Sequence, residues 1–209
     1  MKISSLLHVV LALALVFLSV KLATVKEVSS STSEDDDPVY NIILSRASVR
    51  AYLDKEVEQN KVEKLLRAGM AAPTAVNKQP WHFVVVTDKK VLSDLGDANP
   101  HAKYAKEAPL AIVVCGDMTK ALDGGGRDFW IQDCSAATEN ILLAANGMGL
   151  GAVWTGTYPD QSRCDAVAKV LHLPKTMIPL NTIVIGYPKG EVQPKDKWNE
   201  DNISYDLYE

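Results

Sequence analysis

The stretch from Phe129 to Met148 most constrains what this chain can fold into, because it is the longest helical candidate in the sequence. Ile131, Cys134, Ser135, Thr138, Ile141, Leu142, Ala145 and Met148 recur at the three- and four-residue spacing of one helix face. Ala136, Ala137, Ala144 and Ala145 keep the rod slim, so a second helix can pack closely on it. Gly147 and Gly149 stop it.

Shorter elements flank it. Val39 to Ser45 reads as a helix or an extended entry, and Arg46 to Tyr52 as a polar loop or first turn. In Asn60 to Met70, Val62, Leu65, Leu66 and Gly69 share one helical face. Asp88 to Asp97 and Gln161 to Leu171 are further helices, the latter ended before Pro174. His82 to Thr87 reads as a buried strand, and Leu110 to Cys115, Ala152 to Trp154 and Asn181 to Gly186 as three more. Helices and strands alternate, which predicts an α+β or α/β domain with one central sheet and helices on its faces. Lys189 to Glu209 is a polar tail with little reason to fold alone.

The first residues belong to none of this. Lys2 precedes an almost wholly apolar run from Ile3 to Val20, and Lys21 and Lys26 close it. Residues 1–28 read as a signal peptide or a membrane anchor. Residues 29–38, rich in Ser and Asp, read as a flexible acidic tether, and 39–209 as the folded domain. This organisation predicts an exported protein with a possible membrane tether through residues 3–20. Nothing in the net charge of −4 suggests nucleic-acid binding, which needs a basic face. The three cysteines, Cys115, Cys134 and Cys164, are widely spaced in apolar contexts and read as buried thiols. The four histidines show no metal-ligand spacing, so no metal site is expected.

Four segments carry chemistry. In Arg46-Ala47-Ser48-Val49-Arg50 the two arginines and the serine alternate, and in extended chain they point the same way. Such a set can hold a phosphate, the plainer alternative being a solvated loop. In Ala72-Pro73-Thr74-Ala75-Val76-Asn77-Lys78-Gln79-Pro80-Trp81 two prolines stiffen a loop that offers hydroxyl and amide groups beside aromatics. That suits a planar heteroaromatic ligand, and equally an ordinary helix-to-strand connection. Gly147-Met148-Gly149-Leu150-Gly151 is spaced GxGxG and follows a helix, so it is not a dinucleotide fingerprint. It reads as a helix stop and a strand whose end, Thr155-Gly156, brings backbone near a ligand. Lys195 and Lys197, one position apart in the tail, can meet a phosphate or simply be solvated.

Taken in order, these segments resemble the FMN-dependent nitroreductase family. RASVR, APTAVNKQPW, DCSAATENILLAANGMGLGAVW and IVIGYPKGE with Lys195 and Lys197 look like its successive elements, over about Asn41 to Lys197. The resemblance implies an α+β fold with a mostly antiparallel sheet, and a homodimer with exchanged tails and two FMN sites at its interface. It implies that Arg46 and Ser48 bind the FMN phosphate or ribityl chain, with Lys195 and Lys197 completing the phosphate site. Arg50 would stand near the flavin pyrimidine edge as an electrostatic stabiliser. Pro73, Thr74, Ala75 and Asn77 would approach from the second subunit, and Thr155 and Gly156 would lie by the ring. Asn99 and Lys103 are further candidates for the pyrimidine edge. NADH or NADPH would be the donor and a nitroaromatic, quinone or similar small molecule the acceptor, in ping-pong fashion. No side-chain acid or base is required.

Other readings remain: a non-enzymatic flavin carrier, a reductive dehalogenase, or a flavin-degrading activity on the same scaffold. Gly124-Gly125-Gly126 is a lid candidate or a surface loop. The apolar run and the resemblance together imply a bacterial cell-envelope location, exported, periplasmic or anchored. That sits awkwardly with a donor that is scarce outside the cytoplasm.

Overall fold

This computed structural model describes residues 37–208 together with His8 and Leu13, and a helix cap stands at Asp37. The side chain of Asp37 accepts from the amides of Val39 (2.9 Å) and Tyr40 (3.2 Å), and Pro38 fills the first helical position, where no donor is needed. The expected signal or anchor segment 1–28 and residues 29–36 of the tether lie outside the described residues, His8 and Leu13 excepted. The chain divides into two units, Met1–Asn41 and Ile42–Glu209.

The helices are α1 (Pro38–Ser45), α2 (Gln59–Met70), α3 (Lys89–Ala98), α4 (Phe129–Gly147) and α5 (Gln161–Val170). The strands are β1 (Trp81–Val86), β2 (Leu110–Asp117), β3 (Gly151–Gly156) and β4 (Met177–Gly186). All pair antiparallel in the order β1-β2-β4-β3. The central strands alternate between two cores: Ile112, Val114, Ile183 and Ile185 face α2 and α4, while Ala111, Val113 and Val184 face the α3 side. Because both faces are covered, β2 is buried along its whole length and reads as a continuous apolar run. The run that begins at His82 misled for the same reason. It is not a buried strand but the half-exposed edge strand β1, buried only at Trp81 and Val86. A run of valines cannot say whether its outer edge is covered.

The alanine-rich helix sits as its composition demands. α4 buries Cys134, Ala137, Thr138, Ile141, Leu142 and Ala145, while Ile131, Ser135 and Met148 are only half-buried. α2 lies against it at Gly69, where an added Cβ would come within 2.9 Å of Ile141. At its end Gly149 turns to φ +71°, and the amides of Gly149 and Leu150 donate back to Asn146 (3.0 Å) and Ala145 (2.9 Å). This double closure satisfies carbonyls the helix leaves open and delivers the chain directly into β3.

Arg46 to Tyr52 is not a polar loop. It runs extended beside β3, with a parallel bridge from Ser48 to Ala152 and an antiparallel one from Tyr52 to Pro188. Val49 and Tyr52 are buried. Gly151 permits the approach, since a Cβ there would meet Val49 at 2.6 Å. The three cysteines are free and buried, as their apolar surroundings predict.

Candidate active site

The end of β3, the extended segment at Arg50 and a 3-10 helix (Pro100–Glu107) converge on a cleft of about 390 Å³. Its walls carry Arg50, His101, Lys103, Tyr104, Trp154 and the Thr155–Gly156 backbone, with no carboxylate among the lining residues. The Arg50 guanidinium lies 5.9 Å from the Tyr104 ring centre and the Lys103 ammonium 5.5 Å from it. Arg50 also donates to the Ser48 carbonyl at 3.3 Å. Trp154 keeps 36% of its surface exposed, unlike its neighbours in β3. The cleft therefore combines positive charge with flat aromatic surface.

Its floor is fixed by hydrogen bonds that point away from it. The buried Thr155 hydroxyl donates to the Thr182 carbonyl at 2.7 Å, which leaves backbone facing the cleft at that point. At Gly156 nothing lies within 4 Å of where a Cβ would stand, so a flat ligand can approach the main chain there. Beneath Arg50, the Tyr52 hydroxyl lies 2.6 Å from the Val49 carbonyl and 3.0 Å from that of Val184. Burial pushes this phenol well above its ordinary pKa, so it remains a donor that ties the Arg50 segment to the sheet.

Of the residues expected from sequence, Arg50, Thr155, Gly156 and Lys103 meet here. The others do not. Arg46 pairs with Glu139 of α4 at 3.3 Å, and Ser48 bridges to Ala152. Pro73, Thr74, Ala75 and Asn77 sit in the turn between α2 and β1, where the Ala75 amide donates to the buried Asp133 carboxylate at 2.9 Å. In this turn Val76, Asn77 and Gln79 hold positive φ values of 51°, 55° and 50°. Lys195 and Lys197 lie exposed on the tail, and among the described residues no hydrogen bond or ion pair joins them to Arg46 or Ser48. Asn99 is fully buried and spends its side chain on protein groups rather than on the cleft. Gly124–Gly126 forms a 3-10 turn that does not line the cleft.

Sequence reasoning missed His101, Tyr104 and Trp154. Asn99 followed by Pro100 is a cap-and-proline start that could have revealed the 3-10 helix. Nothing in the run Ala152 to Trp154 distinguishes an exposed Trp from a core one. A larger cavity, about 920 Å³, opens beside Glu58, Leu92 and Lys189. Its lining mixes four carboxylates with three lysines, a poorer match to a flat, anionic ligand.

The chain is thus an antiparallel α+β domain whose slim central helix packs on the sheet, with a cationic, aromatic cleft at a strand end. The sequence profile of the nitroreductase family matches residues 43–101 and 98–187. The chain belongs to that family and is an oxidoreductase. A crystal structure from Parabacteroides distasonis, described as a candidate NADH dehydrogenase/NAD(P)H nitroreductase, superposes with a TM-score of 0.79 at 46% identity, covering 83% of this chain and 100% of that one. A candidate NADH dehydrogenase/NAD(P)H nitroreductase of Methanothermobacter thermautotrophicus is 41% identical over 165 residues, 79% of this chain and 85% of that relative. An FMN-dependent nitroreductase of Clostridium difficile, 29% identical, superposes with a TM-score of 0.75 over 81% of this chain and 99% of its own.

These findings correct the expected cell-envelope location, while the tether expected through residues 3–20 lies outside the described residues, His8 and Leu13 excepted. Among the described residues no helix is long and apolar enough to cross a membrane. The relatives are named for NAD(P)H, a donor scarce outside the cytoplasm, which points against export.

Proposed function

We propose that the β3 cleft receives the ring of FMN, and that the enzyme uses NADH or NADPH to reduce small electron-poor acceptors such as nitroaromatics and quinones. The observation that carries this reading is the cleft itself: Arg50, Lys103, Tyr104 and Trp154 around an open Gly156 backbone, with no acidic side chain. That donor set fits an oxidised or reduced isoalloxazine, whose pyrimidine edge is rich in acceptors and whose faces are flat. FMN held there would supply the redox chemistry, as a hydride acceptor toward NAD(P)H and an electron donor toward the small acceptor.

The chain supplies position and charge. Arg50 is held by the Ser48 carbonyl and the Tyr104 face, so its cation is fixed before any ligand arrives. Its role is to favour the flavin state that carries extra negative charge at the pyrimidine edge, and Lys103 adds to it. Arg46 and Ser48 hold the phosphate end, joined by Lys195 and Lys197. Arg46 is preset by its ion pair with Glu139. Donor and acceptor use the same open face in turn, which gives ping-pong kinetics.

The reading includes a homodimer, since the cleft is open on one side and residues assigned to the site lie elsewhere in one chain. The tail leaves Trp198, Tyr205, Leu207 and Tyr208 between 73% and 94% exposed. Large apolar side chains on a projecting arm call for a covering surface, and a second copy of the domain is the occupant that also brings Pro73, Thr74, Ala75 and Asn77 to the ring.

The test is anaerobic mixing of the FMN-loaded protein with NADH and with NADPH. The proposal expects a yellow protein whose flavin absorbance bleaches with either donor and returns on adding a quinone or nitroaromatic. A protein that stays colourless in excess FMN overturns the proposal. A yellow protein that neither donor bleaches reduces it to flavin binding.

A further inference from the structure

Asn99 caps a helix with one half of its side chain and reaches across the cleft floor with the other. Its Oδ1 accepts from the His101 amide at 3.0 Å, the bond expected of an Asn that precedes Pro100 at a helix start. Its Nδ2 donates to the Gly156 carbonyl at 2.9 Å and lies 3.4 Å from the Thr157 hydroxyl. The residue is fully buried, and so is Thr157. A cap alone does not demand Asn, because Ser, Thr and Asp cap as well. Only Asn among these adds an amide donor on the far side of the capping oxygen.

The two ends of this side chain join the two walls of the cleft. His101, Lys103 and Tyr104 ride on the 3-10 helix that Asn99 caps, and Gly156 ends the strand that carries Trp154 and Thr155. We propose that Asn99 is a positioning residue that sets the separation of these walls, and that it does not itself touch the flavin. This rests on the FMN reading of the cleft, and it reassigns Asn99 from a ligand of the pyrimidine edge to a brace behind it. The brace is stiff because Asn99 and Thr157 are out of water, where leaving the amide donor unmade costs more than the bond contributes.

Asn99→Asp tests the donor half and keeps the cap. Its carboxylate would face the Gly156 carbonyl without a proton, whereas its protonated form would restore an O–H donor. Asn99→Ser keeps the cap, introduces no charge and is too short to cross. The first measurement needs no ligand: amide hydrogen exchange of the apo full-length chain. Both variants are expected to exchange at least tenfold faster than wild type across Thr155 to Thr157, with His101 still protected. The second is FMN affinity by flavin fluorescence against pH. Asn99→Asp is expected to bind within threefold of wild type at pH 5 and at least tenfold more weakly at pH 8. Wild type and Asn99→Ser, which share His101, Lys103 and Arg50, are expected to change less than threefold over the same range. At saturating FMN the flavin absorption maxima are expected to match wild type in every variant.

Unchanged exchange at Thr155 to Thr157 in both variants overturns the brace. So does a shift of the flavin absorption maxima confined to the Asn99 variants, which would make Asn99 a direct ligand. If wild type binds no FMN, the flavin reading fails, and the exchange experiment still decides whether Asn99 ties the two walls.

Discussion

Arg50 meets two demands at once, standing exposed at the cleft while its own segment is anchored by the buried Val49 and Tyr52 on either side. Removing its side chain should therefore cost binding and not folding. A charge-assisted hydrogen bond contributes about 1.5–3 kcal/mol, so Arg50→Ala should weaken FMN binding roughly ten- to a hundredfold with the melting temperature unchanged. Flavin fluorescence titration beside a thermal scan checks both halves. The cysteines give a residue-scale prediction of another kind. Burial pushes the thiol of Cys115 up to about 12 and that of Cys164 up to about 11, and it raises Cys134 as well. The reactive thiolate is thus scarce in the native protein at pH 8. Iodoacetamide should label the folded chain slowly and the unfolded chain fast. Because the folded values are raised, the stability these neutral thiols contribute is full below the unfolded pKa of about 8.5. It is lost as pH rises from there toward the folded values, so the alkaline limb of a stability profile should fall across that window.

At the scale of elements, two turns hold non-glycine residues in the left-handed region for different reasons. His172 at φ 54° ends α5, where the Leu173 amide donates to Ala168 at 2.9 Å. Any residue at that helix end must take this conformation, and glycine takes it at least cost. Val76 at φ 51° is a β-branched residue, 81% exposed, inside the turn that carries Thr74, Ala75 and Asn77. Nothing apolar rewards that exposure within one chain, and stored strain of this kind clusters where ligands are held. His172→Gly should raise stability by about 0.5 kcal/mol and leave FMN affinity alone. Val76→Gly should also raise stability, by about 1 kcal/mol, but weaken FMN binding as the turn relaxes. Denaturant melts paired with flavin titrations separate the two; equal FMN affinity in both variants would remove the turn from the site.

For the molecule as a whole, the proposed dimer makes the tail the segment to test. The sheet and both cores are complete without residues 190–208, all of which are exposed. Truncation after Lys189 should leave a folded chain with near-native far-UV circular dichroism. It should convert the proposed dimer to monomer in sedimentation and abolish FMN binding together with Lys195 and Lys197. A truncated chain that stays dimeric and yellow would place the interface and the phosphate site elsewhere.

The local rules of the sequence determined a good deal. Period-3.6 faces in 60–70 and 129–148, apolar runs at 110–115 and 181–186, and the glycines after α4 were enough to specify the helices, the central strands and the helix stop, because each signal is contained within a few adjacent residues. Arg50 and the Thr155–Gly156 strand end, singled out in the sequence, do line the cleft, whereas Arg46 pairs with Glu139 instead. What depended on distant segments was not legible. Whether β1 is central or an edge, whether Arg46 to Tyr52 is loop or ribbon, and whether Trp154 is core or cleft wall all turn on what lies alongside, which no local period encodes. Asn99 is the sharpest instance. Its sequence neighbourhood predicts a helix cap, and only folding brings the Gly156 carbonyl within reach of its other end. A hydrogen bond spanning 57 residues is a property of the packed chain, and no local pattern in the sequence encodes it.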